Sequence, residues 1–377
     1  MENLAELFKE RVKSSPNKIA LQHKSCSLTW KEIGAKVTKL CLKLKSKGIQ
    51  RKQVVTVICD HDISQVVSIL SISLADAVFH IINTSLTEDQ VLYQIQDVGS
   101  DCVIATKCQL KRLGKILSIE NLCFIEINRN GDFDDSTISD NFGLFEIKTK
   151  NIPVDVSNII YTSGSTGKPK GVVVPHKTLL DGARIVSNYL NLTNNDVIAS
   201  ILPLSFDYGL NQFLSVIYSD ARLVLYNYLL PNDFLEFLRE FKVTGFAAVP
   251  SIWPHFFNRR KVMQEIGQEL SQLRYITTAG GPHSRSLLNK LSGIFPSTEI
   301  IIMYGLTESF RTSYLPYKEL FNRIGSIGKP VPEVEVLVLN ADKEDCKVGE
   351  IGELIHRGAF INYGYLNDED KTNEKYI

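Results

Sequence analysis

Ile159-Ile160-Tyr161-Thr162-Ser163-Gly164-Ser165-Thr166-Gly167-Lys168-Pro169-Lys170-Gly171-Val172-Val173-Val174 sets two apolar, β-prone runs on either side of a loop of hydroxyls, glycines and lysines. Short apolar runs bounded by glycine read as buried strands. Between them, glycine lets backbone N–H groups turn inward, and Ser and Thr hydroxyls add donors, so the loop suits an anion. Lys168 and Lys170 add positive charge. The loop is not of the G-x-x-x-x-G-K-[ST] type, which runs into a helix. Gly164 and Gly167 stand too close together, Pro169 follows Lys168, and a strand pattern comes next. An ordinary surface turn seldom combines glycines, hydroxyls and lysines at this density between two buried runs.

The same alternation extends outward in both directions. Toward the N-terminus, residues 3–13 place Leu4, Leu7, Phe8 and Val12 on one helical face. Thr29 and Glu32 form a capping box that opens a helix carrying Ile33, Val37, Leu40, Cys41 and Leu44 inward, to Gly48. Residues 53–59, 79–82, 102–105 and 122–127 read as strands, with helices over 62–77 and from Thr87 between them. Toward the C-terminus, helices at 176–190, 208–218, 233–241, 251–258, 261–271 and 284–293 alternate with strands at 197–200, 222–225, 245–249, 275–278 and 299–303. This is the α/β pattern with a mainly parallel sheet. Residues 128–155 are polar, acidic at Asp132, Asp134, Asp135 and Asp140, and lack periodicity, which predicts a solvated crossover. Beyond about residue 320, strands at 334–339 and 350–356 with Gly and Asp turns predict an antiparallel or barrel-like piece. The expected division is 1–155 and 156–319 as α/β subdomains and 320–377 as a β-rich part.

Composition narrows the function. Lys+Arg and Asp+Glu are both 42 in 377 residues, and this balance argues against nucleic acid as a main partner. The seven cysteines show no C-x-x-C, and Cys41, Cys59, Cys102 and Cys123 sit in apolar runs, which predicts reduced core thiols and a cytoplasmic setting. The N-terminus has no basic start before an apolar run, so no signal peptide is expected, and no run is long enough to predict a membrane span. The seven histidines are dispersed, none paired at i, i+4, which speaks against zinc. His176, just past the loop, reads as a packing or capping residue.

Three further stretches join chemistry-bearing residues. In Tyr275-Ile-Thr-Thr-Ala-Gly-Gly-Pro282 a strand runs into glycines that let backbone approach a flat ligand, though a plain strand-to-helix turn looks the same. In Met303-Tyr304-Gly305-Leu306-Thr307-Glu308-Ser309 an aromatic, a hydroxyl and a carboxylate meet at a strand end. Such a set can stack on a base, bond a phosphate and hold Mg²⁺, while Thr-Glu alone reads equally as a helix start. In Ser205-Phe206-Asp207-Tyr208-Gly209-Leu210-Asn211 the aspartate reads first as a helix N-cap.

The run Tyr161–Gly171 resembles the phosphate loop of the AMP-forming acid ligases, the adenylate-forming family of acyl-CoA synthetases, peptide-synthetase adenylation domains and luciferases. Tyr304-Gly305-Leu306-Thr307-Glu308 is similar to the same family's Y-G-x-T-E signature. The resemblance implies two stacked α/β subdomains with mainly parallel sheets and a small distorted barrel-like subdomain. It implies that Thr162, Ser163, Gly164, Ser165, Thr166, Gly167 and Lys168 cradle the phosphates of ATP, with Lys170, Thr307 and Glu308 in catalytic positions. Gly280, Gly281 and Pro282 would lie beside adenine, with Tyr304 stacked on it and Gly305 adjacent. Thr307 would contact the α-phosphate and Glu308 would bind magnesium. Phe206, Asp207, Tyr208, Asn211, Ser251 and Thr278 would border the acid. In amino-acid-activating relatives an aspartate after phenylalanine pairs with the substrate ammonium, so Asp207 tilts the expectation toward an amine-bearing acid. Gly349–Leu354 and Gly364-Tyr365 resemble a later structural motif.

The implied activity converts Mg·ATP and a carboxylic or amino acid to an adenylate, for transfer to the thiol of coenzyme A or a carrier-protein pantetheine. Family members continue with a T-G-D segment, a hinge and a small domain carrying a catalytic lysine. Nothing after Tyr365 resembles these, so the expectation is a large N-terminal part with impaired turnover. A non-catalytic nucleotide or acyl-adenylate binding fragment stays open as the alternative.

Overall fold

The computed structural model describes residues 2–135, 143–162, 168–228, 231–257 and 269–376. Among them, one sheet runs in the spatial order Cys123–Ile127, Cys102–Thr106, Val54–Ile58, Val78–Ile81, Val156–Thr162 and Lys170–Pro175. Its neighbours are parallel except the last pair, an antiparallel hairpin in which Thr162 faces Lys170. The second sheet runs Lys329–Pro330, Ser313–Leu315, Glu299–Tyr304, Tyr275–Thr278, Gly245–Ala248, Val197–Ser200, Arg222–Leu225, Ile19–His23 and Cys26–Thr29. Its interior is parallel and both edges are antiparallel. Val334–Leu339 and Glu353–Gly358 form a separate antiparallel ribbon.

Sheet membership crosses the expected boundaries. Strand Ile19–His23 pairs with Arg222–Leu225 in the second sheet, and the hairpin of 156–175 belongs to the first. Strand Lys329–Pro330, paired with Ser313–Leu315, carries the second sheet past residue 319. Helices between the sheets explain the stacking. Every residue of helix Ile63–Leu74 is buried, its serines included, and Ser68 and Ser71 satisfy their hydroxyls by donating to the carbonyls of Ser64 and Val67 one turn back. It shares one core with helices Trp30–Ser46, His176–Tyr189 and Asp207–Ser219 and with strand residues of both sheets, including Val55, Val172, Ile198 and Leu223. The capping box at Thr29 and Glu32 forms as the sequence predicts. The 128–155 crossover is less solvated than its polarity suggests: Leu144 and Ile147 are buried, and Asp132 and Asp135 pair with Lys36 and Lys43. The expected helix at 261–271 falls mostly outside the described residues.

One buried carboxylate aligns the starts of three parallel strands. Asp196 Oδ1 accepts from Thr244 Oγ1 at 2.7 Å and from Arg274 Nε and Nη2 at 3.0 and 2.8 Å, while Oδ2 accepts from the Thr193 amide at 2.7 Å. Burial pushes this carboxyl upward, but the bonds from Thr244, Thr193 and Arg274 outweigh it and hold it below the usual range. A depressed folded-state value means stability present above the unfolded carboxyl range, about pH 4, and lost as pH falls through the folded value. Asp196→Ala is therefore expected to cost about 3 kcal/mol at pH 7, toward the low end for a broken buried pair because Arg274 can rehydrate. Urea midpoints of wild type and variant should converge as pH falls toward the acid range.

Candidate functional site

Ligands in open α/β sheets bind beyond the carboxyl ends of the strands. Two neighbouring parallel strands, Tyr275–Thr278 and Glu299–Tyr304, end side by side. The first runs into Gly280, which holds φ +85, a region glycine enters without strain. Gly280, Gly281 and Pro282 are exposed, and a Cβ on Gly280 would meet nothing nearer than Val249 at 3.7 Å. The second strand ends at half-buried Tyr304 and turns at Gly305. A Cβ there would lie 2.8 Å from the Phe310 carbonyl oxygen and 3.0 Å from Arg311 Cα, so the turn closes on its own backbone.

Thr307 and Glu308 lie just past this turn and gather three separate elements. Thr307 Oγ1 donates to Asp207 Oδ1 at 3.2 Å, which brings the start of helix Asp207–Ser219 to the turn. Glu308 Oε1 accepts from the Tyr365 hydroxyl at 2.5 Å. Lys170 Nζ, on the hairpin, sits 4.9 Å from the centre of the Tyr365 ring, a cation–π contact. Asn362 Nδ2 donates to the Thr307 carbonyl at 2.7 Å, and its amide donates to the Glu308 carbonyl at 3.2 Å. The 362–366 segment is held in turn against the hairpin: the Val173 amide donates to Gly364, and the Leu366 amide to Gly171.

The residues expected to border the acid divide by exposure. Phe206, not Asp207, holds the helix N-cap position, and the residue is 45% exposed. Asp207 is half-buried at the first helical position. Burial raises its pKa, opposed by the Arg311 charge and the Thr307 hydrogen bond. Tyr208 donates to Thr277 Oγ1 at 2.8 Å. Asn211 is buried one turn further on. Ser251 is exposed. Thr278 is fully buried, its hydroxyl engaged by His283 Nε2 at 2.9 Å and Trp253 Nε1 at 3.3 Å. Between the two sheets a cleft of ≈ 520 Å³ opens beside this region, lined by His61, Asp62, Pro203, Ser205, Val249 and Ile252.

Of the residues expected to hold phosphate or act beside it, Thr162 and Lys170 close the hairpin ladder and Lys168, two residues before Lys170, is exposed. Ser163, Gly164, Ser165, Thr166 and Gly167 lie outside the described residues. His176 is buried at the start of its helix, 3.2 Å from Asn151 Nδ2, and burial lowers its pKa to about 4. Among the described residues no group of three or more His, Cys, Asp or Glu could enclose a metal ion. No helix among them is long and apolar enough to cross a membrane.

Residues 8–366 match the family described as AMP-binding enzyme. The chain belongs to that family. It is 28% identical to bacitracin synthase 3 of Bacillus licheniformis over 99% of its own length and 6% of that protein. It is 26% identical to tyrocidine synthase 1 of Brevibacillus parabrevis over 100% of its length and 33% of that protein. The chain thus spans a minor part of these curated relatives. Among solved structures, VinN superposes with a TM-score of 0.86 at 23% identity, covering 100% of this chain and 93% of that one. VinN has also been solved with L-aspartate. The o-succinylbenzoate coenzyme A synthetase MenE of Bacillus subtilis, in complex with ATP and magnesium, gives 0.83 at 21% identity, covering 100% of this chain and 75% of that one. These two likenesses establish the AMP-binding enzyme fold.

Within this AMP-binding domain, sequence reasoning missed the parts that tie the site together. Tyr365 reads only as part of a structural motif, although Gly364-Tyr365 marked its position. Asn362 and Arg311 carry no local signal at all.

Proposed function

We propose that this domain activates a carboxylic acid as its adenylate. The observation that carries the reading is the convergence on Thr307-Glu308 of the phosphate hairpin, through Lys170 and Tyr365, and of the Asp207 helix. Such a meeting point positions an acid and a triphosphate together, and positioning with fixed charge supplies most of the catalysis in phosphoryl chemistry. In the proposed step a carboxylate oxygen of the acid bonds to the α-phosphorus of ATP. The bond to the bridging oxygen breaks, and pyrophosphate leaves with the electron pair. Lys168, Lys170 and the 162–167 loop hold the phosphates, Thr307 the α-phosphate, and Gly280, Gly281, Pro282, Tyr304 and Gly305 the base.

Glu308 fits a magnesium ligand: Mg²⁺ is usually held by one or two carboxylates plus substrate phosphates, and Glu308 is half-buried with one oxygen already oriented by Tyr365. When bound there, magnesium supplies charge neutralisation of the phosphates. The acceptor that follows is a thiol, of coenzyme A or of a carrier-protein pantetheine.

Acid-dependent ATP–pyrophosphate exchange, on this chain and on the full gene product, tests the reading. Exchange in either supports it, whereas tight AMP binding without exchange in both points to a nucleotide-binding module. In this reading Asp207 holds an ammonium, and its bond to Thr307 supports a place beside the proposed α-phosphate contact. Asp207→Asn keeps the shape and removes the charge, so exchange with amine-bearing acids should drop about 100-fold while simple acids are spared, as expected for an unpaired buried charge. Equal loss on both classes would remove Asp207 from substrate recognition.

A further inference from the structure

Arg311 follows the Thr307-Glu308 turn and is 2% exposed. Arginine is almost never this buried unless it is paired. Yet its Nε and Nη2 are shut away from solvent with no hydrogen-bond partner. The guanidinium lies over the Tyr208 ring, 4.8 Å from its centre. Asp207 feels its charge but spends Oδ1 on Thr307 Oγ1. Asn211, one helical turn after Asp207, is buried as well, and its Nδ2 has no acceptor. Tyr208 and Asn211 line one small hollow of ≈ 20 Å³, about one water's room. Asp207 and Tyr208, both half-buried, are the members of this group that reach the surface.

Donors left without acceptors in a buried place cost stability, and an anion restores what they lack. A guanidinium suits a carboxylate best, because its fork of N–H groups matches the two oxygens. Asp207 beside it complements a cation. The two charges together describe a ligand with an ammonium and an additional carboxylate besides the one that reacts.

We propose that Arg311 is a specificity-determining residue that binds a second carboxylate, so that this site takes an amine-bearing dicarboxylic acid. This rests on the adenylate reading above. Asp207 holds the amine, Arg311 holds the spare carboxylate, and the other carboxylate is left to react.

Two non-hydrolysable probes test it by calorimetry on the whole chain: aspartyl-sulfamoyl adenosine and its asparaginyl counterpart, which differ by carboxylate against amide. Wild type should bind the aspartyl probe about 10- to 100-fold tighter, the reach of one charge-assisted hydrogen bond. Arg311→Gln should bring the two within about threefold, and Arg311→Lys should keep part of the preference. Equal or reversed preference in wild type would overturn the proposal while leaving the adenylate reading intact. Binding of ATP but of neither probe would do the same. No binding of ATP or either probe would overturn both. The wild-type comparison decides the matter even if the Arg311 variants fail to fold.

Discussion

Gly209→Ala is expected to destabilise the chain by about 3 kcal/mol, although alanine is the better helix former by about 1 kcal/mol. Gly209 lies in the first turn of helix Asp207–Ser219. A Cβ there would stand 2.2 Å from the Pro203 carbonyl oxygen and 2.7 Å from that of Leu202. Both obstacles are backbone, so no rotamer change relieves them. The 202–206 turn would have to move, and overpacking of this kind generally costs more than propensity returns. Because that turn leads into Phe206 and Asp207, the same change should displace the residues proposed to border the acid. Gly114 is the control: nothing lies within 4 Å of its Cβ and its φ is not positive, so Gly114→Ala should be near neutral. Urea denaturation of both variants measures the contrast. A Gly209→Ala protein as stable as wild type, with acid recognition unchanged, would show that the turn accommodates a methyl group.

Gly209 also illustrates what a sequence conceals. The α/β class was legible because strand and helix periods are local, and the strand predicted at 275–278 coincides with Tyr275–Thr278. The capping box at Thr29 and the helix start at Thr87 are likewise local chemistry. Strands of two or three residues, such as Lys329–Pro330 and Ser313–Leu315, have too few residues to show a period. Which sheet a strand joins is a long-range matter, and Ile19–His23 pairs with a strand some two hundred positions away. The site follows the same rule. Thr307, Glu308 and Asp207 were singled out by the company they keep in sequence, and the fold brings them together. Tyr365 and Arg311 act through contacts that the chain makes only when folded, so no local pattern announces them.

Glu308→Gln is expected to lower acid-dependent pyrophosphate exchange by at least about 100-fold, the scale of removing one fixed electrostatic partner of a phosphoryl transfer. It should leave stability nearly unchanged. The glutamine carbonyl can still accept from the Tyr365 hydroxyl, and the backbone of residue 308 stays pinned by Asn362 and Tyr376. Tyr365→Phe separates orientation from charge. It removes the 2.5 Å bond to Glu308 but keeps the ring beneath Lys170, so the hairpin contact persists. The expected loss is about fivefold, one ordinary hydrogen bond, and raised magnesium should recover part of it because the carboxylate remains. Magnesium should recover nothing in Glu308→Gln. If instead both variants lose activity equally and neither responds to magnesium, Glu308 serves only to hold Tyr365 and the 362–366 segment in place. Its role is then architectural, and the charge that steadies the phosphates must come from the lysines of the hairpin.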